Sequence, residues 1–144
     1  MSDLQYGSIA MTNETKPPKR IGVAIVEHEG LYLVGVRLPT QTLAGKAEFP
    51  GGKCFPEESS EECAVRECLE ETGLKVVARQ MLYQIEHRYS HDVVDLQFWL
   101  CELADDQPEP HTPFSWRSRD ELGKLDFPEA NAPVIKLLLE RESA

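Results

Sequence analysis

The sequence predicts an α/β fold in one domain: a mixed β-sheet covered by helices on both faces. Three observations lead there. Strand-like runs stand before and after a stretch of helical periodicity, a second helical stretch closes the chain, and 41% of the 144 residues are hydrophobic. At about 150 residues per domain that is enough apolar material for one core.

Residues 1–19 are rich in Ser, Thr, Asn, Lys and Pro and show no sustained period, so they are expected to form a loose leader to a domain spanning 20–144. Ile21 to Val26 and Leu31 to Val36 are β-branched or apolar runs separated by Glu27, His28, Glu29 and Gly30, a hairpin signal. A loop rich in turn residues follows and ends in Glu48-Phe49-Pro50-Gly51-Gly52-Lys53. From Ser59 to Thr72 the period becomes helical, with Ala64, Val65, Cys68, Leu69 and Thr72 on the expected inner side. Ser59 and Glu62 have capping-box spacing, and Gly73 stands where a left-handed residue ends a helix. Leu74 to His87 reads as a long strand, and Val94, Leu96, Phe98 and Leu100 alternate with polar or aromatic partners in another. Phe98 and Trp99 are expected in the core. Ala104 to Pro113 is acidic and Pro-rich, hence a surface loop, and Asn131 to Glu140 reads as a closing helix with Val134, Leu137 and Leu138 inward.

The formal net charge is −10, from 15 Lys+Arg against 25 Asp+Glu. Such a balance argues against capture of a nucleic-acid polymer or an anionic membrane, both of which call for a basic surface. A phosphate-bearing partner must then be met by a few placed cations or by metal ions. No apolar run approaches the ~20 residues of a membrane span, and the leader lacks the apolar stretch of a signal peptide, so the cytoplasm is the expected compartment. Cys54, Cys63, Cys68 and Cys101 form no Cys-x-x-Cys pair and are expected as reduced packing residues.

Seven glutamates lie between Glu57 and Glu71. Spacings of three and four residues place Glu67, Glu70 and Glu71 side by side on one helix stripe, where like charges repel by roughly 0.2–0.5 kcal/mol per pair. Solvent alone would tolerate that row. Its position asks for more, because it follows Gly51-Gly52, where missing side chains admit a close neighbour and the carbonyls are hard oxygen ligands. Oxygen-only donors suit Mg²⁺, or Mn²⁺, rather than zinc. Arg66, beside the stripe, can hold one carboxylate in a bidentate contact.

The full spacing is more specific than an acidic helix. Gly52, five residues, Glu58, seven residues, Arg66-Glu67-Cys68-Leu69-Glu70-Glu71-Thr72-Gly73-Leu74 reproduces Gx5Ex7REUxEExGU, with Cys68 filling an apolar position. Chance recurrence of its fixed letters is on the order of one in a million. The chain from about Ile21 onward thus resembles the Nudix hydrolases. The resemblance implies an α/β/α sandwich around a mixed sheet and Mg²⁺-dependent hydrolysis of a nucleoside diphosphate linked to a further group. Glu48 to Lys53, Phe98-Trp99-Leu100 and Phe127 to Val134 resemble the MutT-type branch, whose members cleave 8-oxo-dGTP to the monophosphate and pyrophosphate.

Carried over from the family, Glu67, Glu70, Glu71 and the Gly51 carbonyl would bind the metals, and water would be directed at the β-phosphorus. Glu67 is the first choice for general base or water orienter, Glu58 the second, with Arg66 as support within the site. Lys53 and Arg37 would contact phosphates. Asn131, near Glu48 and the Phe49 backbone, would read the O6 and protonated N7 edge of an oxidised purine; the plainer reading makes it a helix N-cap two residues before Pro133, and one residue could do both. Ser115 precedes Trp116 where the MutT branch often places an acidic residue, with Glu109 and Asp120 the nearest carboxylates, and Asp92 stands where a base-contacting Arg is expected. Tyr89 lies near a tyrosine position of diadenosine-polyphosphate hydrolases; the plainer reading is core or pocket wall. The alternatives are a hydrolase of a dinucleoside polyphosphate or nucleotide sugar, and a non-catalytic nucleotide-binding module. The expected partner is a small-molecule nucleotide, and the expected state a monomer or homodimer.

Overall fold

The computed structural model describes residues 17–141, so most of the expected leader lies outside the described residues. In chain order the elements are β1 (Lys19–His28), β2 (Leu31–Val36), β3 (Ala47–Glu48), β4 (Gly51–Lys53), α1 (Ser60–Thr72), β5 (Val76–Arg88), β6 (Val93–Leu103), β7 (Phe114–Ser118), α2 (Arg119–Leu122) and α3 (Ala132–Glu140). A single 3-10 turn, Glu129–Asn131, leads into α3.

The sheet is mixed, as expected. Its centre is β1, which runs parallel to β6 over 19–26 against 94–101 and antiparallel to β4 over 21–23 against 51–53. At its far end β1 pairs with β2 through Glu27 opposite Tyr32 and His28 opposite Leu31, and β2 carries β3 and β7. β5 closes the other edge, antiparallel to β6 with two register shifts.

Alternation along β1 feeds two cores. Val23 and Ile25 pack with Tyr32, Val34, Phe49, Phe98, Leu122, Val134 and Leu138 beneath α2 and α3. Ala24 and Val26 face the other way, with Leu33, Ala64, Cys68, Leu74 and Cys101 beneath α1. Each large apolar side chain withdrawn from water contributes roughly 1.5–3 kcal/mol, so the period-two pattern of β1 holds both helical layers to one strand.

The inner stripe of each helix is rotated from the expected one. In α1 the buried residues are Ser60, Cys63, Ala64, Cys68 and Thr72, while Leu69 is 44% exposed. Contact is centred near Ala64, because Gly22 of β1 has no side chain to hold the helix off, and at about 100° per residue Leu69 falls on the far side. In α3 the buried residues are Val134, Ile135 and Leu138, and Leu137 is 39% exposed. The loop expected up to Lys53 contains β3 and β4, and β7 and α2 follow the acidic surface loop. These strands of two to five residues are too short to show a period and owe their pairing to β1 and β2.

Candidate active site

Two ends position α1. Ser59 accepts from the Glu62 amide at 3.0 Å while Glu62 accepts from the Ser59 amide at 2.9 Å, closing the expected capping box. Gly73 ends the helix at φ 80°, in the left-handed region that a side chain disfavours. Between them Arg66 is the organising residue. Its Nε donates to Glu58 Oε2 at 2.7 Å and one NH2 group to Glu58 Oε1 at 3.0 Å, a bidentate pair. The other NH2 group donates to Glu67 at 3.1 Å and to Glu70 at 3.1 Å. The guanidinium also donates to the Lys53 carbonyl at 3.1 Å and lies 4.0 Å over the Phe55 ring.

Glu58 is thereby fully occupied. Besides Arg66 it accepts from the Phe55 amide at 3.0 Å. The Arg66 hydrogen bonds hold its carboxyl at about 2, well below the usual carboxylate range.

Glu67 stands directly over Gly52: a Cβ there would fall 2.5 Å from the Glu67 carboxyl carbon. Glycine at 52 is therefore a steric requirement of this carboxylate's position. Glu71 is exposed at its outer face, but its carboxyl turns inward and accepts from the Gly51 amide at 3.2 Å. Desolvation pushes that carboxyl up to about 7, the Gly51 hydrogen bond opposing and the nearby Glu67 and Glu48 reinforcing the rise.

The remaining predicted residues occupy neighbouring strands. Arg37 pairs with Glu48 at 3.3 Å and lines a hollow of about 720 Å³ with Ser115 and Arg117. Ser115 accepts from Arg117 Nε at 3.0 Å, and Asp92 pairs with Lys19 at 3.2 Å. Lys53 is exposed at the end of β4 and lines a separate hollow of about 540 Å³. The Phe49 side chain is buried and stacked on Phe127 at 4.8 Å, which leaves its backbone as the part a ligand could meet. Asn131 occupies the N-cap position of α3 without making a side-chain capping hydrogen bond. Tyr89 is 53% exposed, with its ring edge against His87, and is not part of the core. Phe98 is buried, whereas Trp99 is half-buried and donates to Ser60 Oγ at 2.9 Å.

Sequence reasoning missed two members of this cluster. Phe55 lies under Arg66, and Cys63 donates its thiol to the Gly52 carbonyl at 3.2 Å. Cys63 precedes Arg66 by one helical turn, a legible spacing; the approach of Phe55 comes from the loop and carries no period.

Among the described residues no three His, Cys, Asp or Glu side chains converge as they stand on a metal position. Arg66 draws Glu67 and Glu70 to itself, and Glu71 turns to Gly51. The donor chemistry nonetheless fits a hard cation, because carboxylates and backbone carbonyls surround a side-chain-free Gly51-Gly52 floor.

The NUDIX domain profile matches residues 22–137. The chain is 34% identical over 122 residues to the 8-oxo-dGTP diphosphatase of Escherichia coli K12, covering 83% of this chain and 95% of that protein. It is 27% identical over 123 residues to the CTP pyrophosphohydrolase of the same organism, covering 84% and 91%. The crystal structure of the MutT protein from Methanosarcina mazei Go1 superposes with a TM-score of 0.68 at 25% identity, over 86% of this chain and 94% of that one. Hydrolases of this kind use divalent metal cations, in agreement with the oxygen donors around Gly51-Gly52. With that profile spanning most of the chain and a relative 34% identical over nearly its whole length, the chain belongs to the Nudix hydrolase family, with MutT-like pyrophosphohydrolases among its relatives.

Proposed function

We propose that the protein is a Mg²⁺-dependent nucleoside triphosphate pyrophosphohydrolase, with Mn²⁺ as a substitute, acting on 8-oxo-dGTP to give 8-oxo-dGMP and pyrophosphate. One observation carries this reading: Arg66 locks Glu58 while keeping Glu67 over the bare Gly52 floor. A row of carboxylates arranged only for solubility needs neither the lock nor the floor. A non-catalytic binding module would likewise gain nothing from that crowding of negative charge.

Glu67, Glu70, Glu71 and the Gly51 carbonyl would hold the cation, which when bound neutralises phosphate charge and makes a water molecule more acidic. The protein's own groups do the rest. Glu67 accepts the proton of the attacking water, or orients that water, as it meets the β-phosphorus. The bond from the β-phosphorus to the bridging oxygen breaks, the nucleoside monophosphate leaves, and the water oxygen ends in pyrophosphate. Arg66 positions Glu67, and Glu58 positions Arg66 in turn; with both Glu58 oxygens occupied, we give Glu58 this supporting part rather than that of base. Lys53 and Arg37 supply phosphate contacts. The Asn131 amide, not used in capping, both donates and accepts and so suits an O6 and protonated N7 edge; Glu48 and the Phe49 backbone would complete that contact.

A second substrate reading rests on two positions: Asp92 is engaged by Lys19, and Ser115 by Arg117. Neither matches the MutT-type pattern, and a relative is a CTP pyrophosphohydrolase. Steady-state rates with Mg²⁺ on 8-oxo-dGTP, dGTP, CTP, a dinucleoside polyphosphate and a nucleotide sugar separate the readings. A higher kcat/KM for 8-oxo-dGTP than for dGTP is expected; equal values sink the oxidised-purine assignment and leave the hydrolase. The Glu67→Gln variant should fold, by circular dichroism, and lose turnover. Full activity in it removes Glu67 from the chemistry.

A further inference from the structure

Four thiols are present, and all are free. Cys68 and Cys101 are buried in the core beneath α1. Cys54 and Cys63 are placed differently. In the β1/β4 pair, Gly52 lies opposite Gly22, and the position after Lys53 is tied to β1 by the Cys54 amide donating to the Arg20 carbonyl at 2.9 Å. Residues opposite one another, and residues two apart, share a face. Gly22 and Gly52 both face α1, since a Cβ on either would strike that helix, so Cys54 faces α1 as well. At that spot α1 presents Cys63, whose Cβ lies 2.9 Å from where a Gly22 Cβ would be and whose thiol reaches the Gly52 carbonyl at 3.2 Å. Cys54 is half-buried and lines the 540 Å³ hollow, whereas Cys63 is fully buried.

We propose that a hydroperoxide entering this hollow oxidises Cys54, and that Cys63 then closes a Cys54–Cys63 disulfide which disables the site. In the first step the Cys54 thiol loses its proton, and its sulfur takes one oxygen from the hydroperoxide. The S–O bond forms, the O–O bond breaks, and water or an alcohol departs. In the second, Cys63 attacks the sulfenic sulfur. The S–S bond forms, the S–O bond breaks, and the hydroxyl leaves with the Cys63 proton as water. Two thiols are oxidised and one hydroperoxide is reduced. Burial, then the neighbouring Cys54, pushes the Cys63 thiol up to about 12, in keeping with Cys54 as the sulfur oxidised first.

The coupling to catalysis follows from the contacts. Bridging fixes the two Cβ atoms at about 3.5–4.5 Å and so ties the end of β4 covalently to α1. It also removes the Cys63 hydrogen bond to Gly52, the residue beneath Glu67. The disulfide itself stands apart from the proposed function, and only its effect on hydrolysis rests on that reading.

The test treats the full chain with hydrogen peroxide, alkylates the remaining thiols and maps peptides by mass spectrometry. The expected result is a Cys54–Cys63 cross-linked pair two hydrogens lighter than its thiols, with Cys68 and Cys101 alkylated after unfolding. Nucleotide hydrolysis should fall about tenfold or more and return with dithiothreitol. Cys54→Ser, at the half-buried position, should hydrolyse at the untreated rate and resist peroxide, and Cys63→Ser should leave Cys54 as an uncrosslinked sulfenic acid. Peroxide-treated protein lacking the cross-link overturns the proposal, as does a cross-linked protein of undiminished activity. A protein that cross-links but hydrolyses no nucleotide before treatment refutes the functional reading and the coupling, leaving only the disulfide standing.

Discussion

Arg66 satisfies three carboxylates, a carbonyl and an aromatic face at once, a load that only a planar guanidinium can carry. Lysine keeps the charge but loses the fork. Arg66→Lys should therefore lower kcat by about 10–100-fold with a smaller change in KM, read in steady-state kinetics, because Glu67 loses its support while the phosphate contacts remain. Glu71 gives a second residue-scale expectation, for metal-free protein. Its carboxyl rises from an ordinary 4.5 to about 7 on folding, so below pH 4.5 both states hold the proton and no penalty exists. As pH climbs through 7 the folded protein must ionise a disfavoured carboxylate, and stability is lost to a plateau above that. Glu71→Gln should thus raise the melting temperature of metal-free protein at pH 8, by the equivalent of about 1 kcal/mol once screening at this partly exposed residue is counted, and leave it unchanged at pH 4. The Glu58 carboxyl, held near 2, has the opposite sign, with stability present above about 4.5 and lost as pH falls toward 2.

At the scale of an element, α1 aims this chemistry, and its start and its floor can be tested separately. Ser59→Ala opens the capping box and should cost about 1 kcal/mol in chemical denaturation, with kcat for the remaining folded protein little changed. Gly52→Ala should do the reverse. The added methyl cannot coexist with the Glu67 carboxyl 2.5 Å away, yet it disturbs no large core residue, so the variant should fold and lose hydrolysis. A fully active Gly52→Ala protein would show that Glu67 is free to leave its place without consequence.

At the scale of the whole molecule, β1 holds two cores together and the C-terminal helix closes one of them. Leu138 is fully buried in the core that also holds β1, β2 and β6 residues, and Leu138→Ala should cost about 2–5 kcal/mol in urea unfolding. Leu137→Ala, one residue away and 39% exposed, should cost under about 1 kcal/mol. The end of that helix is also tied polarly: Arg141 donates to Glu27 at 2.9 Å, and the buried Tyr32 hydroxyl donates to the same carboxylate at 2.9 Å. Helix α3, which starts at the Asn131 N-cap, packs through Val134, Ile135 and Leu138 into the same core as Phe49 and Phe127, so the substrate contact proposed for Asn131 would share an element with core packing. No helix among the described residues is long and apolar enough to cross a membrane.

By itself the sequence determined the mixed sheet, the α1 boundaries with Ser59 and Gly73, and the identity of the carboxylate row, because each is local: a period, a cap or a fixed spacing along one helix. Only the tertiary structure decided which face of α1 turns inward, that Arg66 spends its fork on Glu58, and that Gly52 rather than Gly51 lies under Glu67. Those outcomes depend on how closely two separate strands let a helix approach. β3, β4 and β7 were hidden for the same reason, since a strand of two to five residues is defined by the neighbour it bonds to and not by any pattern of its own.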